Sequence, residues 1–312
     1  MLLYNTHSKH TKNYFLGGYL IQASLDCIFC MMKKSDEIYS QYENNEARRI
    51  KFLKKAMSII SKSKPTDSAP NINTIIMREL SKATNISDLY AKEKKLSNEL
   101  ILKMEKDITK NINNSDSKLI KAIQYSLAGN YIDFGVMSIV REGSLKEIID
   151  KAHEFIISDD IFAHFISDLN KAKTLVYLTD NAGEIVFDKI FIQAIIDMYP
   201  DVKIKAIVRG YPIYNDATME DAIDVDLNDI VDVYDNGFDA PGTVLNLINN
   251  NSRDIIDSAD LIISKGMGNF ETLYGCKKNI YYSFLCKCVY FTKRFGMKQF
   301  EGIFKNEKDI GL

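Results

Sequence analysis

The chain has 312 residues, 46% of them hydrophobic and 26% charged, and a formal net charge of -2. That length allows two domains and a substantial core, and the composition is that of an ordinary soluble globular protein. The near-neutral balance excludes a general attraction to polyanions, so no nucleic-acid partner is expected.

Residues 1 to about 25 carry no strong hydrophobic period. The longest mainly apolar, uncharged run, Tyr14 to Leu25, has 12 residues, too short to span a bilayer, so no membrane partner is expected. The mostly polar start, with His7, Lys9, His10 and Lys12, predicts no secretory signal. From Leu25 the pattern turns helical. Ile28, Met31 and Met32 open an amphipathic stretch running towards Tyr42, and Ile50, Leu53, Met57 and Ile60 make a second. Ser61 to Asn73 holds Pro65, Pro70 and many Ser, Thr, Asp and Asn, and reads as a connection.

Further helices are predicted around Ile75, Ile76, Leu80 and Ala83, around Leu96, Leu100, Ile101 and Met104, and around Leu119, Ile120, Ile123 and Leu127. Leu145, Ile148, Ile149 and Ala152 predict one more, followed by 161–169. The run Lys92-Glu93-Lys94-Lys95 reads as a solvated face, and His153 and His164 as surface or capping residues. No internal repeat is detectable.

The second half changes character. Strand-like runs occur at 175–178, 204–208, 230–234, 261–264 and 280–284, with helix-like stretches between several of them. Alternation of this kind implies an α/β class: a three-layer α/β/α C-terminal half with a mostly parallel sheet, and a mainly helical N-terminal half. The expected domains are 1–170, helical, and 171–312, carrying the site. A helical half of that length has to bury its apolar stripes across the boundary.

The stretch TLVYLTDNAGEIVFD, from Thr174 to Asp188, reads as buried strand, tight loop and helix. Asp180, Asn181 and Glu184 sit in that loop, and loops beyond the carboxyl ends of parallel strands bind ligands. Two more polar clusters follow strands: Arg209 to Thr218, with Asn215 and Asp216, and Lys265 to Glu271, with Asn269. A fourth, with Asn130 and Asp133, lies in the helical half. Parallel strands would bring the first three to one edge.

Carboxylate and amide oxygens are hard ligands that suit Mg²⁺ or Mn²⁺. No histidine follows His164, so the sheet half offers no imidazole for a zinc-type site. Lys265 beside two glycines could set a charge on a phosphate while backbone amides approach. Together these residues describe metal-assisted phosphoryl chemistry. Each motif also has a structural reading: Asp-Asn-Ala-Gly makes a turn with a helix cap, and Asn215-Asp216 equally caps a helix. Neither a P-loop nor a G-x-S-x-G elbow occurs.

The segments TDNAGEIVFD, VRGYPIYNDAT and ISKGMGNFETL, in this order, resemble the damage-control phosphatase family, long catalogued as domain of unknown function 89. SLDCIFCMMKK, AGNYIDFG and LCKC further resemble its prokaryotic, CxxC-bearing branch. The resemblance runs from about Ser24 to the C-terminus. It implies a metal-dependent phosphatase whose partner is a small phosphate ester, a sugar phosphate or a damaged metabolite phosphate.

Carried over, it implies a divalent metal ion (Mn, Ni, Co or Mg) on Asp180, Asn181 and Asp216, with Lys265 at the substrate phosphate. Glu184, Asn215 and Asn269 are implied to line the site, and Asn130 and Asp133 to reach over it. Attack by a metal-positioned water and attack by Asp180, forming an aspartyl-phosphate, both stay open. The sequence departs from the family in its first 23 residues, in Met267 after Gly266, and in the basic, aromatic tail VYFTKRFGMKQFEGIF.

Two other functions fit such a chain. One is a metal- or metabolite-binding protein of the same fold without turnover. The other is an S-adenosylmethionine-dependent carboxyl methyltransferase, against which stands the single glycine of the loop after the first strand. The odd number of cysteines, five, makes no disulfide framework and points to a cytoplasmic home. Cys27 and Cys30 form a CxxC near a helix start, either packing as small apolar residues on its inner face or acting in metal or redox chemistry with Cys276, Cys286 and Cys288.

Overall fold

The computed structural model describes residues 21–131 and 152–310. Among these residues six strands form one sheet in the order β3-β2-β1-β4-β5-β6. They are β1 (Thr174–Leu178), β2 (Lys203–Val208), β3 (Asp232–Asp235), β4 (Leu261–Lys265), β5 (Ile280–Leu285) and β6 (Gly302–Asn306). The first five pair in parallel, and β6 returns antiparallel along β5. The chain runs outward from β1 through β2 to β3, then crosses back to β4. This reversal opens a crevice at the carboxyl ends of β1 and β4.

β1 is a continuous apolar run because both its faces are covered. Leu175 and Tyr177 belong to one hydrophobic cluster, Val176 and Leu178 to another. The first face carries α6 (Lys118–Gly129), α7 (Asp159–Leu169), α8 (Glu184–Met198) and α9 (Met219–Asp224). The second carries α10 (Asn250–Asp257), α11 (Met267–Leu273) and α12 (Val289–Phe295). These are the three expected layers.

The N-terminal helices are α1 (Leu25–Tyr39), α2 (Glu46–Lys62), α3 (Ala69–Thr84), α4 (Ala91–Leu102) and α5 (Glu105–Asn113), followed by α6. The first three share a core of their own around Met31, Phe52, Ile72 and Leu80. Ile101, Ile108 and Ile123, from α4, α5 and α6, join the cluster of β1 instead. α8 is therefore enclosed: its residues from Glu184 to Ile192 are all buried, with the sheet on one side and α4 and α6 on the other. A helix wrapped this way is apolar nearly all round.

Three local readings are corrected. The connection read over Ser61 to Asn73 is shorter, because α3 already begins at Ala69. Ser68 accepts from the backbone N–H of Asn71, and Pro70 stands in the first turn, where its missing N–H costs no helical hydrogen bond. α5 escaped notice because only Ile108 and Ile112 mark its inner face. β6 lies in the basic, aromatic tail; Phe304 stacks on Tyr281 and meets Phe165 edge-on, so its aromatic content is core. Asp133, the helix read from Leu145 and residues 1–20 lie outside the described residues. No helix among the described residues is long and apolar enough to cross a membrane.

Candidate active site

The pairing register sets the site. Leu178 of β1 stands opposite both Ile207 of β2 and Ser264 of β4. The residues that follow, Asp180, Arg209 and Lys265-Gly266, therefore leave the sheet side by side. Two backbone hydrogen bonds lock the first two loops together: Ala182 N donates to Asn215 O at 2.9 Å, and Ala217 N to Asp180 O at 2.7 Å. Asn181 and Asp216 are bridged as a result. Asp180 leans over Gly266, where a Cβ would stand 2.1 Å from the Asp180 Cγ.

Side chains then converge. Asp180 Oδ2 accepts from Asn181 Nδ2 at 2.8 Å and from Asn130 Nδ2 at 3.4 Å. The same two amides donate to Glu184 Oε2, each at 2.8 Å. Arg209 Nε donates to Asp216 Oδ2 at 2.7 Å, and its Nη1 donates to Asn269 Oδ1 at 3.0 Å. Asn269 in turn donates to the carbonyls of Thr179 and Lys265, tying the ends of β1 and β4.

Lys265 is fully buried. Its Nζ donates to Ser126 O at 2.8 Å and Ser126 Oγ at 2.5 Å, and lies 3.1 Å from Glu184 Oε1 and 3.2 Å from Asp188 Oδ1. Asp188 also accepts from the Tyr177 hydroxyl at 2.7 Å.

Electrostatics follow from this crowding. Burial, then the Glu184 and Asp216 carboxylates, push Asp180 well above the ordinary carboxylate range; Arg209 and Lys287 pull against them. Burial raises Asp188 to about 6 even with Lys265 beside it. Burial alone would lower Lys265, but Asp188 and Glu184 outweigh it and hold the ammonium charged.

In this cluster the four carboxylates Asp180, Glu184, Asp188 and Asp216 outnumber the cations that face them, Lys265, Arg209 and, acting on Asp180, Lys287. Glu184 Oε1, Asp188 Oδ2 and Arg209 Nη2 are buried without a hydrogen-bond partner. A divalent cation fits that charge deficit, and Asp180, Asn181 and Asp216 are hard oxygen donors of the kind Mg²⁺ or Mn²⁺ takes. Among the described residues no three His, Cys, Asp or Glu side chains form a metal-binding group, so this set depends on its amide.

The helical half reaches the same loops through α4. Asn98 Oδ1 accepts from Gly183 N at 2.6 Å, and its Nδ2 donates to Asp221 Oδ1 at 3.1 Å. Asp221 closes the cap of α9 by accepting from Thr218 N at 2.8 Å. Lys94 Nζ stands 2.8 Å from Asp221 and 3.3 Å from Asp88, with 4% of the residue exposed. The solvated face read over 92–95 is thus wrong for Lys94, whose ammonium pins the loop after β2 to α4.

A family profile described as the damage-control phosphatase ARMT1-like domain matches residues 23–303. The chain belongs to the damage-control phosphatase family. A protein of Archaeoglobus fulgidus named damage-control phosphatase is 34% identical over 225 residues, 70% of this chain and 75% of that one. An uncharacterised protein of Methanocaldococcus jannaschii is 31% identical over 280 residues, covering 87% of this chain and 91% of its own. The crystal structure of a DUF89 family protein from Pyrococcus horikoshii superposes with a TM-score of 0.80 at 23% identity, covering 92% of this chain and 99% of the other. That likeness establishes the shared fold.

Of the residues singled out from this family's motifs, Asp180, Asn181, Glu184, Asp216, Lys265, Asn269 and Asn130 meet at one point. Asn215 joins through its backbone carbonyl. Arg209, Asn98, Ser126 and Asp188 were not assigned roles from sequence. Arg209 and Asp188 carried a signal, standing in the second and first motifs; Asn98 and Ser126 lie in helices and read as ordinary helical residues. Cys27 is buried and Cys30 exposed, so the CxxC does not share one inner face, and all five cysteines are free thiols. Burial, then Cys288, raises Cys286 to about 11, opposite to the shift a reactive thiolate needs.

Proposed function

We propose that the chain is a phosphatase of small phosphorylated metabolites, working with a divalent cation held by Asp180, Asn181 and Asp216. The observation that carries this reading is the cluster at the carboxyl edge of the sheet, where four carboxylates outnumber the cations Lys265, Arg209 and Lys287. Membership in the family and the name of the A. fulgidus relative support the activity. Mn²⁺, Ni²⁺, Co²⁺ and Mg²⁺ all suit the donor set. When bound, the cation would draw electron density from the phosphoryl group and neutralise developing charge.

The chain's own residues prepare that event. Arg209 holds the Asp216 carboxylate by its Oδ2. Asn181 turns its amide nitrogen to Asp180 and Glu184, which leaves its oxygen for the cation. Asn130 steadies Asp180 and Glu184 from the end of α6. Lys265 pairs with Glu184 and Asp188, and a substrate phosphate reaches its ammonium only by displacing one of the present contacts. A cavity of about 390 Å³ shares the loop after β2 and is lined in part by Arg78, Asp88, Tyr90, Tyr211, Tyr214 and Asp239. Its mixed aromatic and charged wall suits the polar, non-phosphate part of a metabolite.

The test is phosphate release from a panel of sugar phosphates and p-nitrophenyl phosphate, with each cation restored after chelation. Hydrolysis should require the cation, and Asp180→Ala should lose at least about 100-fold in kcat while keeping its melting temperature. A folded, cation-loaded chain that hydrolyses no ester would reduce the reading to a binding protein.

A further inference from the structure

We propose that Asn98, on α4, is the positioning residue that fixes the two loops of the cation site relative to one another, an inference that rests on the cation reading above. Asn181 and Asp216 stand on separate loops, after β1 and after β2. Two backbone hydrogen bonds, from Ala182 N to Asn215 O and from Ala217 N to Asp180 O, join these loops to each other. Asn98 ties both to a third element. Its Oδ1 accepts from Gly183 N at 2.6 Å, two residues beyond Asn181, and its Nδ2 donates to Asp221 Oδ1 at 3.1 Å. Asp221 in turn accepts from the backbone N–H and the hydroxyl of Thr218, each at 2.8 Å, two residues beyond Asp216. One side chain of the helical half thus braces the backbone beside both proposed cation ligands.

The chemistry of the position suits an amide. The Gly183 N–H can only donate, and the Asp221 carboxylate, paired with the Lys94 ammonium at 2.8 Å, accepts, so the group between them must offer one acceptor and one donor. Gly183 caps the start of α8 with φ +76° and no side chain of its own, and its N–H has no acceptor within that helix. Asn98 supplies the acceptor from outside. It is 1% exposed and Asp221 3%, so water does not stand in for either bond. Lys94, one helical turn before Asn98 on the same face, also meets the Thr218 hydroxyl at 3.3 Å. Groups that hold metal ligands in place from behind set affinity as well as geometry, by about 10- to 100-fold when they are lost.

The experiment titrates Mn²⁺ calorimetrically into the chelator-treated full chain as wild type, Asn98→Asp and the double variant Asn98→Asp/Asp221→Asn, and records each melting temperature. Asn98→Asp keeps an acceptor for Gly183 but sets a second carboxylate against Asp221. The double variant exchanges donor and acceptor across that bond and keeps the net charge of wild type, so both hydrogen bonds re-form. At a temperature where every variant is folded, Mn²⁺ affinity should fall by about 10-fold or more in Asn98→Asp and recover in the double variant. Wild-type Mn²⁺ affinity in a folded Asn98→Asp, whatever its melting temperature, would overturn the proposal and leave Asn98 a role in stability alone. Affinity that stays low in a folded double variant would overturn it too.

Should Asn98→Asp not fold, Asn98→Ala, which removes both bonds and adds no charge, takes its place with the same loss expected. A wild-type chain that binds no Mn²⁺ would sink the cation reading, and this inference with it. A wild-type chain that binds Mn²⁺ no better than its folded Asn98 variants would sink the inference alone.

Discussion

Gly266 has φ +80° and ψ 154°, a backbone region open only to glycine, and Asp180 occupies the space a side chain would need. Gly266→Ala should cost about 1–3 kcal/mol of stability and displace Asp180, so activity should fall further than stability does. Thermal melting beside initial rates checks this; full activity with an unchanged melting temperature would mean that Asp180 has room to move. Residue types at this scale were readable from sequence. Aspartate, asparagine and lysine after three strands suggested phosphoryl chemistry before any geometry was known. Their partners were not readable. Lys94 looked like one of several solvated lysines, yet it meets Asp221, which is remote in sequence. No local pattern reports a contact of that kind.

At the level of elements, the entry of β1 is held by one carboxylate. Asp260 Oδ2 accepts from the backbone N–H of Lys173 and Thr174 and from the Thr174 hydroxyl, all at 2.9 Å. The Lys173 and Thr174 backbone bonds lower its pKa below the ordinary 3.8. A carboxylate depressed in the folded state adds stability that is complete above its unfolded value and vanishes as pH falls through its folded one. Asp260→Ala should therefore be less stable than wild type at neutral pH, by no more than about 1 kcal/mol since solvent screens the group. The two stability curves should converge as pH drops below 3.8. Denaturant melts from pH 3 to pH 7 measure the gap, and a gap that stays constant would assign the effect to something other than this charge.

β1, β2, β4 and β5 were found from their apolar runs because they are mostly buried, whereas β3, an edge strand with Asp232 and Asp235 exposed, begins two residues after the start of the run read at 230–234. β6 was missed because an edge strand bearing Lys305 does not look apolar, and its pairing to β5 is not local.

Across the whole molecule, the helical half closes on the sheet half where α6 meets α8. A Cβ at Gly129 would lie 2.8 Å from Phe187 Cδ2, so the two helices approach as closely as a glycine permits. Asn130, the next residue, carries that contact into the site. Gly129→Val should wedge α6 from α8 at a cost of about 1–3 kcal/mol and lower activity by moving Asn130 off Asp180 and Glu184. Stability and kcat falling together would bear this out, whereas a normal kcat in a destabilised variant would show that Asn130 needs no such seating.

The amino-acid sequence by itself determined the α/β class, the positions of the five parallel strands and the motif residues that meet at their carboxyl ends. Those follow from short-range periodicity and from residue chemistry, both of which are written locally. Tertiary structure alone decided which charge answers which. Lys265 turned out to be enclosed by Glu184, Asp188 and Ser126, Lys94 to be buried against Asp221, and Arg209 to be buried against Asp216. A buried ion pair depends on how segments far apart in the chain are brought together, and on the cost of leaving either partner alone out of water.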